Sequence, residues 1–196
     1  MCDETSLPLR RSIAASFRGV TLLELMVTIV VLGILVALGL PNLRDFLVGT
    51  RLSSSVNGFV GLASFARSEA IVRNQDVIVC PKNAGSNACV STTAWNTYEV
   101  EAFVDADGDG NFSAGDILLK TQAAVDPGNS QMGFDRSSPG ILTFGSAGFA
   151  RTAQFFKIYA KSPDAAYQAK YGRTICVSKV GRIRVADYAL TTCPDF

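Results

Sequence analysis

The sequence predicts an α+β protein in which one long N-terminal helix packs on a small antiparallel β-sheet domain. An apolar run over residues 20–40 continues into residues 41–76, where apolar side chains recur at helical spacing. Short β-branched and aromatic runs, separated by Gly, Pro, Asn and Asp clusters, then fill residues 77–196. The chain has 196 residues, which is enough for one compact domain behind the helical part.

Residues 20–40 predict a single membrane-spanning helix. The run contains one charged residue, Glu24, and as a helix it is roughly 31 Å long at about 1.5 Å per residue, close to the thickness of a bilayer core. Three arginines precede it, so the positive-inside bias places residues 1–19 in the cytoplasm and everything after the span outside. A carboxylate in hydrocarbon costs about 2.5–3.5 kcal/mol, so Glu24 either has a partner or snorkels to water.

Residues 41–76 read as the amphipathic continuation of this helix. Charged residues stand mostly between the apolar ones, so we expect one apolar stripe to pack on the sheet. The stripe consists of Leu43, Phe46, Leu47, Phe59, Leu62, Ala63, Phe65, Ala66 and Ala70.

The β domain begins with VIVC at residue 77. Six further short runs, separated by Gly, Pro, Asn and Asp clusters, predict the strands of an antiparallel domain. These runs are YEVEAFV, DILLK, GILTF, TAQFFKIYA, RTICVSK and GRIRVA.

Four cysteines lie beyond the apolar run, on the side where disulfides form. They allow three pairings. We favour Cys80 with Cys89 and Cys176 with Cys193, because each pair encloses a short loop after an apolar strand. The alternative is a zinc site, which the absence of histidine and of any C-x-x-C pair disfavours.

The composition also disfavours an enzyme. The chain has no histidine, so the usual general base is absent, and no pairing of a nucleophile with a base is apparent. We therefore expect neither catalysis nor an organic cofactor.

An acidic segment, DADGDGNFSAGD at residues 105–116, has the spacing of a calcium-binding loop. Its candidate ligands are Asp105, Asp107, Asp109 and Asp116. The flanking runs read as strands rather than helices, and Asp116 is shorter than the usual glutamate. The favoured interpretation is an Asp/Gly-rich hairpin turn, with calcium as the alternative.

Charge is divided unevenly along the chain. Residues 77–135 contain two basic and eight acidic side chains, whereas residues 136–196 contain nine basic and three acidic ones. Arg182 and Arg184 stand two apart in a predicted strand, so they share one face, about 6.6 Å apart, while Ile183 faces the other way. Such a pair fits two neighbouring phosphates; alternatively, arginines keep an edge strand soluble. Further basic residues extend the predicted patch: Lys170, Arg173, Lys179 and Arg151.

The residues around the start of the apolar run carry a family resemblance. Gly19, Val20, Thr21-Leu22 and Glu24 resemble the class III signal of type IV pilins and type II secretion pseudopilins. The resemblance implies that a prepilin peptidase removes residues 1–19, that the new N-terminus at Val20 is a methylation site, and that this amine neutralises Glu24 of a neighbouring subunit. It implies a single-pass protein of the bacterial inner membrane, with its C-terminal domain periplasmic, that enters a filament through its N-terminal helix.

The β domain narrows this resemblance. Trp95 with FVDADGDG, GILTFGSAG and RTICVSKVGRIR resembles the GspH/FimT/FimU branch of minor pilins and pseudopilins. The G-R-x-R segment resembles that of FimT-type minor pilins implicated in DNA capture during natural transformation, which implies that Arg182 and Arg184 contact phosphates of double-stranded DNA. The alternative is a structural minor pilin or secretion pseudopilin that primes assembly without binding DNA.

Overall fold

We describe residues 19–193 of a computed structural model, with the side chains of residues 39–42 excepted. The predicted leader falls almost entirely outside the described residues. The chain divides into two compact units, residues 1–43 and residues 44–196.

Helix α1 (Leu22–Arg73) belongs to both units. Thr21 caps its N-terminus, because the Thr21 hydroxyl accepts the N–H of Glu24 at 3.2 Å and the Thr21 carbonyl accepts that of Leu25 at 3.1 Å. The apolar side chains described between residues 20 and 38 are exposed. Of the helices among the described residues, α1 alone is long and apolar enough to cross a membrane.

The second unit contains the elements β1 (Val77–Lys82), β2 (Glu99–Val104), β3 (Ile117–Gln122), β4 (Met132–Arg136), β5 (Leu142–Phe144), β6 (Gln154–Ala160), α2 (Ala165–Tyr171), β7 (Arg173–Val177) and β8 (Ile183–Asp187). The strands form two four-stranded antiparallel sheets, in the orders β3-β2-β1-β5 and β4-β6-β7-β8. The predicted α+β class, with a long helix and antiparallel β structure, is confirmed.

The core forms where the buried stripe of α1 meets both sheets. Phe59 lies at its centre, with its ring centroid 6.2 Å from that of Trp95, 4.9 Å from that of Phe134 and 4.6 Å from that of Phe156. All four side chains are fully buried. The helix contributes Leu52, Val56, Phe59, Leu62, Ala63, Ala66 and Ala70 to this core.

The predicted stripe begins too early. Leu43, Phe46 and Leu47 are 54%, 67% and 46% exposed, because the core shared with the sheets starts only around Val48 and Leu52. Helical spacing identified the correct face of α1 but not the position at which that face becomes covered.

Candidate functional site

The turn between β7 and β8 presents the predicted basic motif. Ser178 and Arg182 close it, because the Arg182 carbonyl accepts the Ser178 N–H at 3.0 Å and the Ser178 hydroxyl accepts the Arg182 N–H at 3.2 Å. Gly181 has a φ of +75°, as expected for the last residue of a three-residue hairpin loop. A Cβ there would lie 2.0 Å from the carbonyl oxygen of Gly148. The glycine of the motif is therefore a structural requirement of the turn.

Arg184 lies on the outer face of the second sheet, and Arg182 directly precedes the same strand. The β7–β8 register pairs Arg184 with Cys176 and Ile183 with Val177. Since side chains alternate along a strand, Arg184 faces away from the core while Ile183 packs against it. Both arginines are exposed, and Lys179 is exposed in the preceding turn. The structure thus brings three of the four predicted DNA-contacting cations together.

The fourth, Arg173, does not join them. It lies at the opposite end of β7, where it pairs in register with Asp187. Because it is two residues from Ile175, it shares the core-side face with that residue. Its guanidinium donates to the carbonyls of Lys170 at 3.3 Å and Gly172 at 2.6 Å. Arg173 therefore does not extend the patch, contrary to our expectation. Basic residues that are close in the sequence can lie at opposite ends of a strand and on different faces of the sheet.

The other two predicted extensions have acidic partners. The Lys170 ammonium lies 3.7 Å from a carboxylate oxygen of Asp45; it stands in the last turn of α2, before the end of β7 that is opposite to the turn. Arg151 lies close to the turn, because the neighbouring Ala150 N–H donates to a turn carbonyl, but it forms an ion pair with Asp76. The basic surface therefore centres on the turn itself.

Sequence reasoning missed Arg67, which fastens this turn to α1. Its Nε donates to the carbonyl of Gly148 at 2.9 Å and its terminal nitrogen to the carbonyl of Val180 at 3.3 Å. A cleft beside the turn is lined by Ser64 and Arg67 of α1 and by Gly181, Arg182 and Ile183. The half-buried guanidinium thus adds a fixed positive charge beside the turn. In the sequence its only signal is a lone arginine among the apolar positions of a helix.

The two predicted disulfides are confirmed. Cys80 is bonded to Cys89, and Cys176 to Cys193. The second bond lies on the face that carries the arginines, because Cys176 is the register partner of Arg184. It ties the segment after β8 back to β7, and so restrains the strand that presents the motif.

The acidic segment connects β2 and β3 as a hairpin loop. Asp105, Asp107 and Asp109 each contribute one carboxylate oxygen to a cluster, and these three oxygens lie within 4.8 Å of one another. Asp116 instead closes the loop, since its carboxylate accepts the N–H groups of Ala106 at 2.8 Å and Ser113 at 2.7 Å. The flanking strands agree with the favoured turn interpretation, and calcium binding stays a prediction.

The protonation of this loop follows from its local contacts. Burial raises the pKa of Asp105, although the N–H groups of Gly108 and Gly110 oppose the shift. The pKa of Asp107 is lowered, chiefly because the Asp109 N–H donates to its carboxylate. The lowered pKa keeps the exposed Asp107 carboxylate ionised at neutral pH.

The predicted N-terminal site lies at the start of α1. Gly19 and Val20 immediately precede the capping residue Thr21, and Glu24 is exposed in the first turn of the helix. A carboxylate in this position is favourable, because the positive end of the helix dipole lies there. The same geometry brings Glu24 within one helical turn of the N-terminus that cleavage after Gly19 would create.

Comparisons with known proteins find pilins and a protein family of type II transport. The chain matches the family described as Type II transport protein GspH over residues 55–181, and the prokaryotic N-terminal methylation motif over residues 15–40. It is 25% identical over 173 residues to the Type IV major alpha-pilin of Moraxella bovis, which covers 83% of this chain and 98% of that protein.

Two solved structures match most of the chain. The crystal structure of the type IV minor pilin FimU of Pseudomonas aeruginosa matches with a TM-score of 0.52 and 19% identity, over 72% of this chain and 92% of that one. The minor pseudopilin EpsH from the Type 2 Secretion System of Vibrio cholerae matches with a TM-score of 0.47 and 14% identity, over 71% and 99% of the two chains. The likeness to FimU shows that the two proteins have the same fold.

Proposed function

Because this chain belongs to the GspH family of minor pilins and pseudopilins, we propose that it is a type IV pilus subunit that contributes non-specific contacts to the DNA backbone. The proposal gives the protein a structural and binding role and no catalytic one. One observation carries the DNA-binding part: Lys179, Arg182 and Arg184 are exposed on a turn and strand that Arg67 and a disulfide hold in place.

The filament role uses the N-terminal unit. A prepilin peptidase cleaves after Gly19, and α1 then holds the protein in the inner membrane as a single span, with the β domain in the periplasm. The new amine at Val20, where methylation also occurs, pairs with Glu24 of a neighbouring subunit. The match to the N-terminal methylation motif over residues 15–40 supports this proposal, as does the apolar, exposed surface of the first part of α1.

Replacing Glu24 with alanine is expected to leave the protein in the membrane and deplete it from filaments. The substitution removes a cost of about 2.5–3.5 kcal/mol for remaining in lipid, so the partition between membrane and filament shifts by roughly 70-fold or more. The measurement is the amount of the protein in sheared filaments relative to the membrane fraction.

Thr28→Ala is the matched control for Glu24→Ala. Thr28 lies one turn further along α1, and its hydroxyl donates to the carbonyl of Leu25 in the same helix at 2.8 Å, so the amount of the Thr28→Ala protein in filaments should stay at the native level. Normal incorporation of the Glu24→Ala protein would refute the assembly role of this carboxylate.

The geometry of the turn supports the proposed DNA contact. Phosphates repeat every ~3.4 Å of axis along a strand of B-DNA, so two arginines about 6.6 Å apart span about two nucleotides and fit two neighbouring phosphates. Such contacts position DNA without reading its sequence. The restraints on the turn lower the ordering cost of binding, since less backbone freedom remains to be lost.

Replacing both Arg182 and Arg184 with alanine is expected to weaken binding to duplex DNA of any sequence. Each lost phosphate contact lowers the slope of log K against log salt by about 0.9, so the double variant should lose close to two units of slope. The measurement is fluorescence anisotropy of a labelled duplex titrated with the full chain in detergent micelles, over a series of salt concentrations.

A double variant with Arg44→Ala and Lys120→Ala is the matched control. It removes the same net charge from exposed positions on α1 and β3. It should therefore weaken only the long-range electrostatic attraction between the protein and DNA. An unchanged salt slope in the Arg182/Arg184 variant would show that these arginines do not contact DNA.

A purely structural subunit, in a pilus or in a type II secretion system, is the second candidate. One observation favours it: the family match ends at Gly181, so it does not include the two arginines. A deletion strain scored for DNA uptake, twitching and protein secretion separates the two. Loss of uptake alone supports the DNA-binding role, whereas loss of secretion identifies the alternative.

A further inference from the structure

An exposed aromatic residue lies beside the basic turn. Phe149 is 56% exposed, and both of its chain neighbours contact the turn. The Gly148 carbonyl lies against Gly181 and accepts the Nε of Arg67, and the Ala150 N–H donates to the Lys179 carbonyl at 3.0 Å. The backbone of Phe149 is therefore fixed against the turn from both sides.

The surroundings of Phe149 are cationic. Arg67 carries a fixed charge beside it, and Lys179 and Arg182 are exposed in the turn. Two carboxylates also lie nearby: Asp76 approaches Gly145 and is paired with the guanidinium of Arg151, and Asp105 interacts electrostatically with the same guanidinium. This combination of an exposed ring and several cations is the one that single-stranded nucleic acid requires, with stacking for a base and charge for its phosphates.

We infer that Phe149 stacks on an unpaired base, and that the β7–β8 turn therefore binds single-stranded DNA in preference to duplex DNA. The inference rests on the proposed function, and it names the DNA form that this site favours. A duplex keeps its bases stacked on one another and offers the turn only phosphates. A single strand, or the frayed end of a duplex, offers a free base face in addition.

The test compares two probes on the full chain in detergent micelles: a short labelled strand of mixed sequence, and the duplex formed with its complement. Phe149→Ala is expected to weaken binding of the single strand by about 5- to 150-fold, the range for loss of one stacked base, and to leave duplex binding unchanged. Phe149→Trp, which keeps a stacking surface, should retain the affinity for the single strand.

The salt dependence separates stacking from charge. Phe149→Ala should lower the affinity for the single strand without changing its slope against log salt, whereas Arg182→Ala should reduce that slope by about 0.7. Val180→Ala is the matched control, because Val180 is exposed on the same turn but cannot stack; its single-strand affinity should stay at the native level.

Two outcomes overturn the inference, and they are distinguishable. If Phe149→Ala binds the single strand as the native chain does, while the Arg182/Arg184 double variant binds both probes weakly, the stacking role is wrong and the proposed function stands. If the native chain binds neither probe, both fail. Thermal unfolding of each variant, followed by circular dichroism, checks that the fold is intact.

Discussion

Replacing Phe59 with alanine is expected to lower the free energy of unfolding of the β-sheet unit by about 3–5 kcal/mol, the usual cost of truncating a fully buried phenylalanine. The substitution leaves a cavity between α1 and the second sheet, because the Phe59 ring lies within 6.2 Å of the rings of Trp95, Phe134 and Phe156, measured between centroids. These three rings come from two strands and a connecting loop. Their contacts with one another cannot replace those with the helix.

The measurement is denaturant unfolding of the full chain in detergent micelles with the disulfides intact. Trp95 is the single tryptophan, so its fluorescence reports on this core, and circular dichroism provides a second probe. Phe149→Ala is the matched control: it makes the same change at a side chain that is 56% exposed, and should shift the stability by less than about 0.5 kcal/mol. Equal losses in the two variants would show that Phe59 is not at the centre of the core.

Much of this fold could be predicted because its elements have local signals. The helical spacing of Phe59, Leu62, Ala66 and Ala70 identified the buried face of α1, and seven strands stand where β-branched and aromatic runs predicted them. The sequence-local disulfides followed from cysteine pairs that each enclose a short loop after an apolar run. Each of these features needs only residues that are close in the sequence.

The missed elements depend on distant partners. Strand β4 has the sequence MGFDR, in which Gly and Asp disfavour a strand. It forms because Phe134 pairs with Ile158 of β6 and enters the core. Its Gly133 is required there, since a Cβ would lie 2.3 Å from the ring of Tyr159. Helix α2 has seven residues, too few for a helical period to stand out.

The candidate site also combines features that local sequence signals predict with features that depend on distant residues. Alternation along one strand predicted that Arg182 and Arg184 share a face; β8 begins at Ile183, so Arg184 lies in the strand and Arg182 in the turn before it. Arg67 and Phe149 could not be predicted, because long-range contacts alone bring them to the turn: the Arg67 bond to Val180 joins residues 113 apart. Arg173 was grouped with the other arginines by proximity in the sequence, although the direction of β7 carries it to the far end of the sheet.

Replacing Gly181 with alanine is expected to have the second large effect, a loss of about 2–5 kcal/mol in the free energy of unfolding. A left-handed backbone costs a non-glycine residue about 1–2 kcal/mol, and overlap of packed atoms typically adds about 1–3 kcal/mol. The overlap is severe here, because the new Cβ would lie 2.0 Å from the carbonyl oxygen of Gly148, which belongs to the backbone and cannot rotate away.

Relief of that overlap requires the β7–β8 turn and the Gly148 segment to separate, which would break the bond from the Ala150 N–H to the Lys179 carbonyl. We therefore expect Gly181→Ala also to weaken DNA binding, although it removes no charge. Gly85→Ala is the matched control, since Gly85 has a similar φ of +78° and no atom within 4 Å of its Cβ position. The difference in unfolding free energy between the two variants isolates the contact with Gly148. Equal losses of unfolding free energy in the two variants would mean that the β7–β8 turn and the Gly148 segment are not in contact. The argument that Phe149 is held beside the basic turn depends on this contact and would then fail.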